Sequence, residues 1–103
     1  MGSIKTRREI VVEKYLKEQV EKIGGKCLKM LPTYDAGVPD RLVLYNGQTV
    51  FVETKRQGLS PSKLQAIFMK ELNANGFVTR VIDEKSQVDE LVRELLAVKF
   101  YQF

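Results

Sequence analysis

The sequence predicts an α/β domain, a small mixed β-sheet flanked by helices in the order α-β-β-β-α-β-α. Three observations carry that order. Apolar residues recur at helical spacing in the first twenty or so positions and again in two later segments. A hairpin signal, Asn46-Gly47, lies between two runs rich in β-branched and aromatic residues. A further strand-like run, Phe77–Ile82, separates the two later helical segments.

From about Ser3 to Ile23 the chain reads as an amphipathic helix, with Ser3 as N-cap and Gly24-Gly25 as the stop. Val12, Leu16, Val20 and Ile23 form its apolar stripe. Glu9 falls inside that stripe and Glu13 lies at its edge. A buried glutamate there must be paired, protonated or bound to metal. Close to the helix start it can instead stay solvated and favour the dipole. Lys26–Leu31 is a short strand candidate with Cys27 as a small core residue, followed by a turn-rich loop from Pro32 to Gly37.

The hairpin is the most informative stretch. With a two-residue loop, Tyr45 lies opposite Gln48, and counting outward sets Val43 against Val50 and Arg41 against Val52. One step further, Asp40 faces Glu53. Directly opposed side chains have Cβ atoms about 4.5–5.5 Å apart, and like charges there are destabilising. Alternation places Asp40, Leu42, Leu44, Phe51, Glu53 and Lys55 on one face. Two acids and a lysine at the end of an apolar face are tolerated if the acids share a divalent cation. The simpler reading is a turn-to-strand entry with a frayed Glu53–Lys55 ion pair.

Beyond the hairpin, Ser60-Pro61 reads as N-cap and first residue of a second helix that Gly76 closes. Leu64, Ile67, Phe68, Glu71 and Leu72 keep helical spacing, so most of that face is expected in the core, and Gln65 falls in the first turns. Phe77–Ile82 is a buried or edge strand. Asp83–Val98 is a third helix with Val88, Leu91, Val92, Leu95 and Leu96 as its stripe. Lys99–Phe103 carries three aromatics, expected to fold back on the core or form a subunit contact.

Composition narrows the chemistry. At 103 residues and 44% hydrophobic content, the sequence predicts one domain spanning 1–103, too apolar for disorder. A single cysteine excludes an internal disulfide framework and fits a reducing cytosol. Without histidine, zinc is disfavoured, and any metal would be a hard ion on oxygen ligands. No apolar run is long enough for a membrane span. The net charge of +4 is compatible with a phosphate-rich partner without establishing one.

Pro39-Asp40, then twelve residues, then Glu53-Thr54-Lys55 resembles the PD-(D/E)xK signature of restriction-endonuclease-like nucleases. The pattern extends through Gly37-Val38-Pro39-Asp40-Arg41 before it, and through the Gly58-Leu59-Ser60 turn and Gln65 after it. That longer form, from about Glu9 to about Leu96, resembles the VRR-NUC family (virus-type replication-repair nuclease).

The resemblance implies a Mg²⁺- or Mn²⁺-dependent endodeoxyribonuclease acting on branched DNA. It also implies similarity to homodimeric Holliday-junction resolvases of viral or prophage origin, which work in replication, recombination or repair in the host cytoplasm. Asp40 and Glu53 would then be metal ligands, with Thr54 contributing only its backbone carbonyl because its side chain points to the opposite face. Resolvase-like relatives carry a first-helix Glu followed by apolar residues three, six and seven positions later. Glu9 matches through Val12, Tyr15 and Leu16, and Glu13 is held in reserve. Lys55 and Gln65 complete the catalytic set. Arg7, Arg8, Arg56 and Lys63 are the phosphate-contact candidates, and Tyr34 the candidate for stacking on a base. Two alternatives stand beside this: an inactive nucleic-acid-binding module of the same fold, and a small interaction protein docking through its aromatic tail.

Overall fold

The computed structural model describes residues 7–31, 37–55 and 58–98. Ser3, Tyr34, Arg56 and the Lys99–Phe103 tail lie outside the described residues. The elements run α1 (Arg7–Lys22), β1 (Lys26–Lys29), β2 (Arg41–Tyr45), β3 (Gln48–Thr54), α2 (Lys63–Ala74), β4 (Val78–Ile82) and α3 (Lys85–Ala97), the expected order.

Asn46 and Gly47 both take positive φ, 48° and 80°, as a tight two-residue hairpin turn requires. That turn fixes the β2–β3 register: Tyr45↔Gln48, Val43↔Val50 and Arg41↔Val52, as counted from the sequence. The sheet order is β1-β2-β3-β4. Its first two pairings are antiparallel, while β4 returns through α2 to lie parallel to β3.

Register decides which residues face the helices. Cys27, Val43, Val50, Val52 and Ile82 point to one face and pack with Val12, Leu16 and Val20 of α1 and Val88, Leu91 and Leu95 of α3. Tyr15 ties the two helices together, its hydroxyl donating to Asp89 Oδ1 at 2.6 Å beneath the Lys85 ammonium. The Asp89 hydrogen bond raises the Tyr15 pKa above its ordinary value. Burial pushes the Cys27 thiol up to about 11.

Three expectations are corrected here. The N-cap of α2 is Ser62, not Ser60. Its hydroxyl accepts the Gln65 backbone N–H while the Gln65 side chain accepts the Ser62 N–H, a reciprocal capping box that outweighs the Ser-Pro pair upstream. The α2 face read as core is also largely solvated. Only Met69 is buried, and Leu64 and Ile67 are 60% and 48% exposed. The helix lies on the other side of the sheet from the core, with only β4 beneath most of it, so little apolar surface is available to cover it. In α3, Leu96 likewise faces solvent while Val88, Leu91 and Leu95 are buried.

Candidate active site

At the open end of the β2–β3 hairpin the acids expected to oppose each other each have their own donors. The Asp40 N–H donates to Glu53 Oε1 at 3.2 Å. Asp40 Oδ2 accepts from the Thr54 N–H at 3.0 Å and from Thr54 Oγ1 at 2.6 Å. Glu53, 3% exposed at the end of β3, accepts at Oε2 from Gln65 Nε2 at 2.7 Å and lies 3.3 Å from Lys55 Nζ. Charge-assisted bonds of this kind hold a buried carboxylate in place. The Thr54 side chain keeps to the face opposite Glu53, as alternation implied, yet its hydroxyl reaches Asp40. Asp40 sits just before the first paired residue of β2, so its carboxylate is free of the pleat and swings to the Thr54 side.

The local sequence builds this geometry. Gly37 is buried against the start of α2, where a Cβ would stand 2.6 Å from the Leu64 carbonyl oxygen. Only glycine lets the segment entering β2 pass that close to the helix. The Gln65 amide has no rotational choice, because its Oε1 accepts from Ser62 N and its Nε2 must then face Glu53. Ser62 was missed by sequence reasoning. The Ser62-x-x-Gln65 spacing was the available signal, masked by the more conspicuous Ser60-Pro61.

The two first-helix acids separate clearly. Glu13 is 5% exposed and its Oε2 accepts from Arg41 Nε at 2.6 Å and Lys29 Nζ at 2.7 Å, tying α1 to β1 and β2. Arg41 also donates to the Cys27 carbonyl at 3.2 Å. Glu9 lies one turn earlier and is half-buried. Among the described residues no third acid joins Asp40 and Glu53 in a metal-sized group. Lys63 begins α2 and is exposed; Arg7 and Arg8 begin α1 beside Asp83–Ser86, the junction of β4 and α3.

No protein-family model matches the chain. It is 42% identical over 79 residues to "Putative nuclease p44" of Acyrthosiphon pisum secondary endosymbiont phage 1, covering 76% of this chain and 85% of that protein. A solved structure described as a VRR_NUC domain superposes with a TM-score of 0.79 and is 32% identical, covering 85% of this chain and 97% of its own. The chain belongs to the VRR-NUC family.

As a VRR-NUC nuclease with a restriction-endonuclease-like fold, it carries the Asp40 and Glu53 carboxylates at the hairpin's open end. Two carboxylates suit a hard divalent cation that keeps part of its water shell. No helix among the described residues is long and apolar enough to cross a membrane.

Proposed function

We propose that this VRR-NUC nuclease is a metal-dependent endodeoxyribonuclease acting on branched DNA as a homodimer. The observation that carries the reading is the convergence of Asp40, Glu53, Lys55 and Gln65 at one hairpin end, each acid already held by dedicated donors. Asp40, Glu53 and the Thr54 carbonyl would hold Mg²⁺ or Mn²⁺, with Glu9 adding a contact through water and Glu13 held in reserve as the helix ligand. When bound, the cation supplies Lewis-acid polarisation of the scissile phosphate and a bound water of lowered pKa.

The chain's own groups do the rest. Lys55 orients the attacking water and offsets charge developing on the phosphorane-like transition state. Gln65 fixes the Glu53 carboxylate. Lys63, Arg7 and Arg8 reach the phosphates flanking the cut, and Arg56 and Tyr34 extend that contact. A two-fold dimer matches the two symmetric strands of a branched substrate. A phage-encoded relative fits work on replicating or recombining DNA in a host cytoplasm.

The test is cleavage of labelled four-way junction, flap, single-stranded and duplex DNA with Mg²⁺, Mn²⁺ or chelator, beside Lys55→Ala. Metal-dependent cutting strongest on branched DNA and lost in the variant is expected. Binding without cutting under every metal would instead support an inactive nucleic-acid-binding module.

A further inference from the structure

A cleft of about 590 Å³ lies between the first turns of α1 and α3. Volumes of that order hold a small organic molecule or one unit of a polymer. Spacing on α1 supplies one wall: Arg7 and Val11, like Arg8 and Val12, are four residues apart and so share a face. Val12 is buried at the base, while Val11 is 43% exposed. The other wall is Asp83–Ser86, where β4 passes into α3. At the inner end Tyr15 donates to Asp89, with the Lys85 ammonium 5.1 Å from its ring centre, and this pins the two helices together.

The sheet sets this cleft beside the acids. Thr54 pairs with Ile82, and the Lys55 N–H donates to the Ile82 carbonyl at 2.9 Å. The cleft wall begins at the next residue, Asp83, whose Oδ2 accepts the Gly58 N–H at 3.2 Å. A DNA strand with one phosphate at Asp40 and Glu53 therefore has a neighbouring nucleotide within reach of it.

The lining says what kind of group enters. Arg7, Arg8 and Lys85 are exposed cations on the rim, above the apolar base of Val11 and Val12. The two acids on the rim have local donors: Asp83 has the Gly58 N–H, and Glu84 has the Ser86 hydroxyl at 3.3 Å. Cations over an apolar base fit a nucleotide, which joins an anionic phosphate to a flat base with a stackable face. A base inside a duplex has both faces covered by its neighbours and does not enter. An unpaired base does, and a branch point supplies one.

We propose that this cleft holds one unpaired nucleotide of the substrate strand beside the cut, its base on Val11 and Val12 and its phosphate on Arg7, Arg8 and Lys85. This rests on the nuclease reading above and adds a physical reason for a branched substrate, the unpaired base that the cleft requires. Val11 and Lys85 become specificity residues for unpaired DNA, outside the Asp40–Glu53 centre.

Binding of a short oligothymidylate to the metal-free full chain tests it, followed by amide chemical shifts and by fluorescence anisotropy over a range of salt. Shifts are expected at Val11, Val12, Lys85 and Ser86, and a blunt duplex of equal length should leave those amides unmoved. Val11→Asn should weaken oligothymidylate binding roughly tenfold with the salt dependence unchanged. Lys85→Gln should lower the slope of log affinity against log salt by about 0.7, the loss of one phosphate contact on a single strand. Both variants should keep native Mn²⁺ affinity. Shifts confined to other parts of the surface, a duplex that moves the same amides, or native affinity in Val11→Asn would overturn the proposal. Because no metal is present, the nuclease reading is judged separately. Oligothymidylate seated in the cleft of a protein that cuts no DNA with any metal would keep the subsite and sink the nuclease.

Discussion

Gln65 Nε2 donates to Glu53 Oε2 at 2.7 Å while Gln65 Oε1 accepts the Ser62 N–H at 2.9 Å, so one amide both caps α2 and positions an acid of the site. The start of a helix and the chemistry of a strand end are thereby coupled through a single side chain. Ser62→Ala removes the hydroxyl side of the box and is expected to cost about 1 kcal/mol. Gln65→Ala removes a donor to a buried carboxylate. Its turnover is expected to fall about ten- to a hundredfold, consistent with the roughly 1.5–3 kcal/mol typical of hydrogen bonds to charged groups. Thermal melts and steady-state kinetics on both variants check this, with Ser62→Ala losing turnover less than Gln65→Ala.

Glu13 and Glu9 should part company on mutation. Glu13 is buried between Arg41 and Lys29, and Glu13→Gln leaves the largely buried Arg41 guanidinium without its counter-charge. A loss of about 3 kcal/mol is expected in urea unfolding. Mn²⁺ affinity of the folded variant should stay at the native level. Glu9→Gln should show the reverse, near-native stability with weakened Mn²⁺ binding. Equal loss of metal affinity in Glu13→Gln would return that residue to the ligand set.

Gly37→Ala tests how closely the entry to β2 must pass α2. The added methyl lies 2.6 Å from a backbone oxygen, which a side-chain rotation cannot relieve. An overpacking cost of about 1–3 kcal/mol is expected, or a fall in Tm of roughly 4–8 °C per kcal/mol for a chain of this size. Leu64 is next to Gln65, so turnover should drop as well.

Alkaline pH probes Cys27. Its folded pKa of about 11 lies above the ordinary 9.0, because burial disfavours the thiolate. Between those values the unfolded chain binds fewer protons than the native one, so stability falls as pH rises. The contribution is fully present below about 9 and is lost through about 11, amounting to roughly 2 kcal/mol. The difference in denaturation midpoint between the native protein and Cys27→Ala should be as large at pH 8 as at neutral pH and should shrink at pH 10.5. Native Cys27 should also resist alkylation at pH 8 until the chain unfolds.

The order of elements and the hairpin register were legible because both rest on local signals. Asn46-Gly47 fixes the turn, and alternation fixes every pair from Tyr45–Gln48 outward. Glu53 meets the Asp40 N–H and Lys55 at the hairpin end that the register marked, while Gln65 arrives from α2, outside what the register could tell. What escaped depends on long-range geometry. The Thr54 hydroxyl reaches Asp40 because Asp40 lies outside the ladder, where alternation no longer governs direction. The exposure of Leu64 and Ile67 follows from the side of the sheet α2 occupies, which helical spacing cannot distinguish from burial. The Glu13–Arg41 pair joins residues distant in sequence, and no spacing rule connects them.

The central claim is that Asp40 and Glu53 act as one cation site. Mn²⁺ binding, followed by electron paramagnetic resonance of the free ion, tests it directly on the native protein, Asp40→Asn, Glu53→Gln and Lys55→Ala. The expected result is saturable binding in the native protein, loss in both carboxylate variants, and near-native affinity in Lys55→Ala despite its lost cleavage. Native-level Mn²⁺ binding in both Asp40→Asn and Glu53→Gln would contradict the claim.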